Sequence, residues 1–132
     1  MPKAAATTYG LTHIDIAVRD PERSLAFYAA VFGMTVWRRT DDAIIVTTPG
    51  ARDLIQFSRA PERAADPGGL VHLGFCIRRG KDIDAVVGRA VAAGGSIVTH
   101  RDLSTGRPYA KLKDLDGYDV EVYEMVAPAA GG

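Results

Sequence analysis

The amino-acid sequence predicts an α+β fold made of two βαβββ modules, whose sheets together form a cupped, half-open mixed β-sheet barrel. Two observations lead to this prediction. Short segments alternate apolar and polar residues, as strands with one face on a core do, and two other segments carry apolar residues at helical spacing. The same order of segments then occurs twice along the chain, which indicates an internal repeat.

The first module is predicted to start with a strand over Thr12–Val18 and to continue into a helix. Asp20 is a typical N-cap residue and Pro21 suits the first helical position, whereas Gly33 suits the end of the helix. The helix is expected to bury an apolar stripe made of Leu25, Tyr28, Ala29 and Phe32. Three further strands are predicted over Thr35–Arg38, Ala43–Thr47 and Asp53–Phe57.

The second module repeats this order of elements. A strand is predicted over Val71–Ile77, Asp82 is the expected helix cap, and Gly94 and Gly95 are expected to end the helix. That helix is expected to bury Ile83, Val86, Val87, Ala90 and Val91. The last three strands are predicted over Ser96–Thr99, Tyr109–Lys113 and Asp119–Tyr123.

The two modules are expected to fill most of the 132-residue chain. Polar, proline- and glycine-containing stretches mark the boundaries between them and the ends of the chain. We expect an N-terminal tail over 1–8, the first module over 9–59, a linker over 60–69, the second module over 70–126 and a C-terminal tail over 127–132.

The composition indicates which classes of partner and which cellular compartment to expect. The 16 basic residues balance the 16 acidic ones, which argues against a nucleic-acid or membrane partner. Cys76 is the only cysteine, so an intrachain disulfide is excluded. No apolar run approaches the ~20 residues needed to span a bilayer, and the N-terminus has no apolar signal segment. We therefore expect a cytoplasmic protein.

Four polar residues occupy matching places in the two modules. His13 and His72 lie near the start of the first strand of each module, and Gln56 and Glu121 lie in the last strand of each. Because successive side chains of a strand point to opposite faces, all four are predicted to lie on the sheet faces that the helices do not cover. Polar groups inside a cup need a compensating partner, and a divalent cation provides one directly. We therefore predict that these four residues bind one metal ion.

The chemistry of this set suits several metals. Two imidazoles, one carboxylate and one amide oxygen can bind Zn, Ni, Co, Mn or Fe(II), and one or two positions would remain for water or substrate oxygens. A single histidine in a strand is more often a packed or solvent-facing residue, so the shared face and the equivalent positions carry the prediction. His100 has no counterpart in the first module and is predicted to be a surface residue.

At these residues the sequence resembles the vicinal oxygen chelate superfamily, over roughly Leu11 to Glu124. The segment His-Ile-Asp-Ile-Ala-Val-Arg-Asp-Pro that begins at His13 resembles the first module of that superfamily. The segment from Asp114 to Glu121 is similar to its D-P-D-G-x-x-x-E motif, with Leu115 where proline is usual. The resemblance implies a glyoxalase-like fold, a homodimer, a small-molecule substrate or ligand, and the same four metal ligands.

The superfamily includes glyoxalase I, methylmalonyl-CoA epimerase, extradiol dioxygenases, fosfomycin-modifying enzymes and bleomycin resistance proteins. The ligand order His, Gln, His, Glu is most similar to the epimerase, although only Asp42 lies near the place of its further catalytic glutamate. Bacterial glyoxalase I has glutamate in place of Gln56, and many extradiol dioxygenases have tyrosine in place of Lys111. The resemblance implies a metal-dependent lyase, isomerase or dioxygenase or, alternatively, a non-catalytic protein that sequesters a drug or metabolite.

Further residues are predicted to surround the metal. The resemblance implies that Glu121 transfers protons in addition to binding the ion. Asp15 shares the face of His13 and is expected to act either as a base or as a partner that orients a histidine ligand. Substrate-binding positions are predicted at Trp37, Arg107, Tyr109 and Lys111.

Overall fold

A computed structural model describes residues 5–66, 68–78, 83–100 and 109–124. The first module comprises β1 (His13–Val18), α1 (Pro21–Phe32), β2 (Thr35–Arg39), β3 (Ala43–Thr47) and β4 (Leu54–Arg59). The second comprises β5 (Leu73–Ile77), α2 (Ile83–Ala92), β6 (Ser96–His100), β7 (Tyr109–Lys113) and β8 (Asp119–Glu124). The short 3-10 helix Pro61–Arg63 lies between them. Two βαβββ modules are thus present, as the sequence predicts.

Each module forms its own four-stranded mixed sheet, with the orders β1-β4-β3-β2 and β5-β8-β7-β6. The first strand of each module pairs parallel with the last, and the other pairs are antiparallel. Both sheets carry a β-bulge at the same place, between Val36 and Arg38 in β2 and between Ile97 and Thr99 in β6. The internal repeat therefore extends to the register of the strands.

Helix α1 starts and ends at the predicted residues. The Asp20 side chain accepts a hydrogen bond from the backbone N–H of Glu22, and Gly33 ends the helix with a φ of 69°. The buried stripe differs from the predicted one, because Ala29 is exposed and Leu25 and Phe32 are only half-buried. The residues that α1 buries are Pro21, Ser24, Phe27, Tyr28 and Val31. The stripe is rotated because α1 packs against the second module as well as its own sheet.

Helix α2 buries Ile83, Val86, Val87 and Ala90, whereas Val91 is 49% exposed, so its predicted place in the core is wrong. The predicted cap Asp82 lies outside the described residues. After α2 the backbone at Gly95 passes very close to Lys113 of β7 and Phe27 of α1. A Cβ on Gly95 would lie 2.8 Å from the Lys113 carbonyl oxygen and 2.9 Å from the Phe27 ring, so only glycine fits there.

A buried polar cluster joins the two modules. The Tyr28 hydroxyl donates to Asp114 Oδ2 at 2.8 Å, and Asp114 Oδ1 accepts three backbone N–H groups of the β7–β8 turn at 3.0 Å each. The Arg19 backbone N–H and guanidinium donate to Asp116 at 2.9 and 3.1 Å. The Tyr118 hydroxyl donates to the Ala17 carbonyl at 2.7 Å. We call these residues the inter-module clasp, since they connect β1 and α1 to the turn before β8.

Apolar residues of both modules form one continuous core. The Tyr28 ring lies 5.1 Å from Phe57 and 6.1 Å from Phe75, while Phe32 stacks on Phe75 at 3.9 Å between centroids. A single core of this kind places the two uncovered sheet faces in a fixed relation to each other. None of the helices in the described ranges is both long enough and apolar enough to cross a membrane.

Candidate metal centre

The sheet faces that the helices leave uncovered carry the four predicted ligands. In β4, Ile55 and Phe57 are buried whereas Gln56 is only half-buried, and β8 alternates in the same way about Glu121. His13 in β1 is exposed, as is His72 just before β5. This alternation agrees with the predicted face of each residue. We call the uncovered face of the first sheet, with His13 and Gln56, the first cup face, and that of the second, with His72 and Glu121, the second cup face.

On the second cup face the side chains of the two predicted ligands are in direct contact. His72 Nε2 lies 3.0 Å from Glu121 Oε2, with 36% and 26% of these side chains exposed. Gly74 is the register partner of Glu121 in β5, so β5 places no side chain beside the carboxylate. Among the described residues, a Cβ at Gly74 would meet only the Tyr123 ring, at 3.9 Å. The pair therefore lies in an open, solvent-accessible part of the face.

The first cup face repeats this arrangement. Asp15 is the register partner of Gln56, and His13 lies two residues earlier on the same strand. His72 likewise lies two residues before Gly74, the partner of Glu121. The His–Gln and His–Glu pairs therefore occupy equivalent positions in the two modules.

Hydrogen bonds fix the side chains on the first cup face. Gln56 Nε2 donates to Ser58 Oγ at 3.2 Å, and Ser58 Oγ donates to Asp15 Oδ1 at 2.6 Å. Asp15 was predicted to be either a base or a partner that orients a histidine, and here it contacts Ser58, which accepts a hydrogen bond from Gln56. Ser58 was not among the predicted site residues, although it shares the face of Gln56 by simple alternation in β4.

The two pairs do not meet within one chain. Across residues 5–66, 68–78, 83–100 and 109–124, no three or more His, Cys, Asp or Glu side chains are grouped closely enough to hold a metal ion. His13 therefore does not join His72 and Glu121. Of the four, only His13 lines the groove of about 960 Å³ that separates the ends of β1 and α1 from β5 and α2.

The residues of each pair nevertheless fit a metal. Ligand bonds of about 2.0–2.1 Å place neighbouring donor atoms about 3 Å apart around an ion, which is the separation of His72 Nε2 and Glu121 Oε2. On the first cup face, Ser58 engages the Gln56 nitrogen, so the amide oxygen, the atom that can bind a cation, is left available. An imidazole and an oxygen donor from each module would together supply an N₂O₂ set.

Two of the predicted substrate-binding residues lie next to the second pair. Lys111 is the register partner of Glu121, and Tyr109 is the partner of Tyr123. Ala110, which lies between them, and Leu112, which follows Lys111, are buried, so Tyr109 and Lys111 share the second cup face. Tyr123 was not predicted, although its position two residues after Glu121 was sufficient to place it there. Arg107 lies outside the described residues.

Trp37 lies away from both pairs within one chain. It occupies the bulge of β2, the edge strand farthest from β1 in the first sheet. Its side chain is 58% exposed and borders a shallow depression beside the turn at Pro49 and Gly50. The structure does not bring Trp37 together with His13, and its role in substrate binding stays a prediction.

The fold agrees with a family match. A family model described as the Glyoxalase/Bleomycin resistance protein/Dioxygenase superfamily matches residues 10–122. The match covers both modules and all four predicted ligands. The chain belongs to this superfamily.

One curated relative supports the same placement, and solved structures share the fold. The chain is 31% identical over 119 residues to a catechol-2,3-dioxygenase of Bacillus subtilis, covering 85% of this chain but only 41% of that protein. A glyoxalase-related enzyme from Fulvimarina pelagi has a TM-score of 0.73 at 21% identity, with 89% of each chain covered. A glyoxalase/bleomycin resistance protein/dioxygenase family enzyme from Burkholderia phytofirmans PsJN has a TM-score of 0.71 at 20% identity, covering 87% of this chain and 98% of that one. These two similarities show the fold alone.

Proposed function

We propose that this protein is a divalent-metal-dependent enzyme, a lyase, isomerase or dioxygenase, that binds the oxygens of a small oxygenated substrate at its metal. The contact between His72 and Glu121 carries the proposal. A histidine and a glutamate beside each other on an open sheet face, with a His–Gln pair at the equivalent place in the other module, are what a metal site of this superfamily needs.

We further propose that a second copy of the chain completes the site. Within the described residues of one chain, the first pair and the second pair remain apart. Both pairs face solvent on their cup faces, so a symmetric dimer would bring the first cup face of one copy against the second cup face of the other. Each dimer would then hold two sites, each with His13 and Gln56 from one copy and His72 and Glu121 from its partner.

The roles of the remaining residues follow from their positions. A bound divalent ion would act as a Lewis acid toward the substrate oxygens. Glu121 Oε2 faces His72, so Oε1 is the oxygen placed to exchange a proton with the substrate. The Lys111 ammonium belongs to the residue opposite Glu121 and would attract negative charge that develops on the substrate. The half-buried Tyr109 and Tyr123 would exclude water around the reacting atoms.

The identity of the metal would separate the reaction classes. Fe(II) would favour ring-opening oxidation of catechols, and the similarity to the Bacillus subtilis catechol-2,3-dioxygenase supports testing this first. Ni, Co or Zn would favour a lyase or isomerase reaction. This chain spans only 41% of that dioxygenase, so ring-opening oxidation is a proposal for this chain.

Metal content is the test. The purified protein, reconstituted anaerobically with Fe(II) and separately with Ni, Co and Zn, should retain about one ion per chain after gel filtration. His72→Ala should lose the ion and keep its circular dichroism, because His72 lies outside the core. Retention of less than about a tenth of an ion per chain with every metal would overturn the proposal.

The alternative is a non-catalytic protein that sequesters a drug or metabolite. The groove between the modules supports it, since its volume of about 960 Å³ and its floor at Phe32 and Phe75 suit an apolar ligand. A sequestering protein would bind its ligand equally well with and without metal, whereas the enzyme proposed here would lose substrate binding on metal removal.

A further inference from the structure

We propose that Asp15 and Ser58 are positioning residues that set which atom of the Gln56 amide faces the metal. The inference rests on the metal centre proposed above and goes beyond it, because it assigns a task to two residues that are not ligands. The hydrogen bonds from Gln56 Nε2 to Ser58 Oγ and from Ser58 Oγ to Asp15 Oδ1 carry it.

The direction of these hydrogen bonds follows from the chemistry of the three groups. An ionised carboxylate only accepts hydrogen bonds, so Asp15 requires the Ser58 hydroxyl to donate to it. The single proton of that hydroxyl is then used, and Ser58 Oγ can only accept from its other neighbour. Gln56 must therefore present its NH₂ group to Ser58, which directs the amide oxygen away from Ser58.

This direction matters because the two ends of an amide differ. The oxygen of a glutamine can bind a cation, whereas its NH₂ group carries no lone pair for one. An unconstrained glutamine can present either end, since rotation by half a turn leaves its shape nearly unchanged. Asp15 and Ser58 remove this ambiguity before a metal arrives.

The second module supports the inference because it has neither Asp nor Ser at the positions equivalent to Asp15 and Ser58. Gly74 stands where Asp15 stands, and Tyr123 stands where Ser58 stands. The ligand there is Glu121, whose two carboxylate oxygens are equivalent, so no residue is needed to choose between them. Of the two modules, the one with orienting residues is thus the one whose ligand has two different ends.

The expected effect is on metal affinity. Partners that orient metal ligands typically change affinity by about 10- to 100-fold when removed. The bond from Ser58 to Asp15 is short and charge-assisted, which favours the strong end of that range, while the exposed position of Asp15 favours the weak end. We expect Ser58→Ala and Asp15→Asn each to weaken metal binding by about 10-fold.

The test is titration with Co²⁺, followed by its visible absorption and by calorimetry, on wild-type protein and its variants. Ser58→Thr keeps the hydroxyl and should bind as wild type does, and Ser96→Ala, an exposed serine on β6, is the matched control. The decisive variant is Gln56→Glu, whose symmetric carboxylate needs no orientation. In that background Ser58→Ala should change affinity by less than about 3-fold and leave the cobalt spectrum unchanged.

Three other results of these titrations would overturn the inference. Wild-type affinity for Ser58→Ala, with binding lost in His72→Ala, would overturn this inference and leave the proposed metal centre standing. An equal loss from Ser58→Ala in the wild-type and Gln56→Glu backgrounds would also overturn it, since Ser58 would then act on the sheet as a whole. Failure of wild-type protein to bind Co²⁺ or any other divalent ion would overturn both proposals.

Discussion

Replacement of Tyr28 by phenylalanine would remove one hydroxyl from the centre of the inter-module clasp. Tyr28 is 1% exposed and Asp114 is 7% exposed, so the hydrogen bond between them is shielded from water. Phenylalanine keeps the ring that packs on Phe27 and Phe57. The substitution therefore isolates the contribution of the hydroxyl.

The size of the expected loss in stability follows from the burial of the Asp114 carboxyl group, which accepts the Tyr28 hydrogen bond. Loss of a hydrogen bond to a buried charged group typically lowers stability by about 1.5–3 kcal/mol. For a domain of this size, 1 kcal/mol corresponds to about 3–4 °C in Tm, so Tyr28→Phe should melt about 5–12 °C lower at neutral pH. The three hydrogen bonds from backbone N–H groups to Asp114 Oδ1 remain in the variant, which keeps the loss of stability within this range.

The effect should also depend on pH. Burial raises the pKa of Asp114 above its ordinary value of 3.8, and the hydrogen bond from Tyr28 opposes this by lowering it. Removal of the hydroxyl therefore raises the folded-state pKa further. A carboxyl group with a raised folded pKa stabilises the protein fully below the unfolded value and loses that contribution as pH rises through the folded one. The destabilisation by Tyr28→Phe should consequently be larger at pH 7 than below about pH 4.

Urea unfolding of wild type, Tyr28→Phe, Asp114→Asn and the double variant at pH 7 and at acid pH measures both effects. Asp114→Asn keeps an oxygen for the three backbone N–H groups and removes the charge, so the pH dependence of the Tyr28→Phe effect should disappear in that background. A change below about 0.5 kcal/mol for Tyr28→Phe at pH 7 would refute the role given to the clasp.

Three further predictions concern other parts of the chain. Gly95→Ala should lower stability by more than about 2 kcal/mol in urea unfolding, because its Cβ would press on the Lys113 carbonyl and the Phe27 ring. Gly88→Ala in α2, where a Cβ would meet no described residue within 4 Å, should instead raise stability by about 0.5–1 kcal/mol, and a decrease would contradict the exposed helical position. Once an anionic substrate is found, Lys111→Met should weaken its binding by about 10-fold or more and leave the metal content unchanged. Equal binding of that substrate by wild type and variant would exclude Lys111 from the site.

Much of the fold is visible in the sequence because the deciding signals are local. Alternation of apolar residues places the strands and their faces, and the residues around α1 place its ends at Pro21 and Phe32. The same alternation identifies the faces of the four predicted ligands. Ser58 and Tyr123 carried that signal too, and they were missed because neither residue type suggests a ligand by itself.

The remaining features depend on contacts between distant parts of the chain. Ala29 fits a helical stripe in sequence, yet Phe27 and Val31 are buried instead because α1 also meets the second module. The bulge at Trp37 shifts the register of β2, which period-two alternation does not predict. Alternation likewise gives the face of a residue and not the position of one sheet relative to the other. The distance between the two predicted pairs, which stay apart within the described residues of one chain, is therefore the part of the site that sequence alone could not place.

Mixed dimers provide the most direct test of a centre shared between two copies. His13→Ala and His72→Ala chains carrying different affinity tags would be co-expressed, and the heterodimer isolated through both tags. One of its two sites would have both histidines, so it should bind about half as much metal per chain as wild type, while each single-variant protein binds almost none. A heterodimer as empty of metal as its parents, or a wild-type protein that binds metal as a monomer in light scattering, would contradict the shared centre.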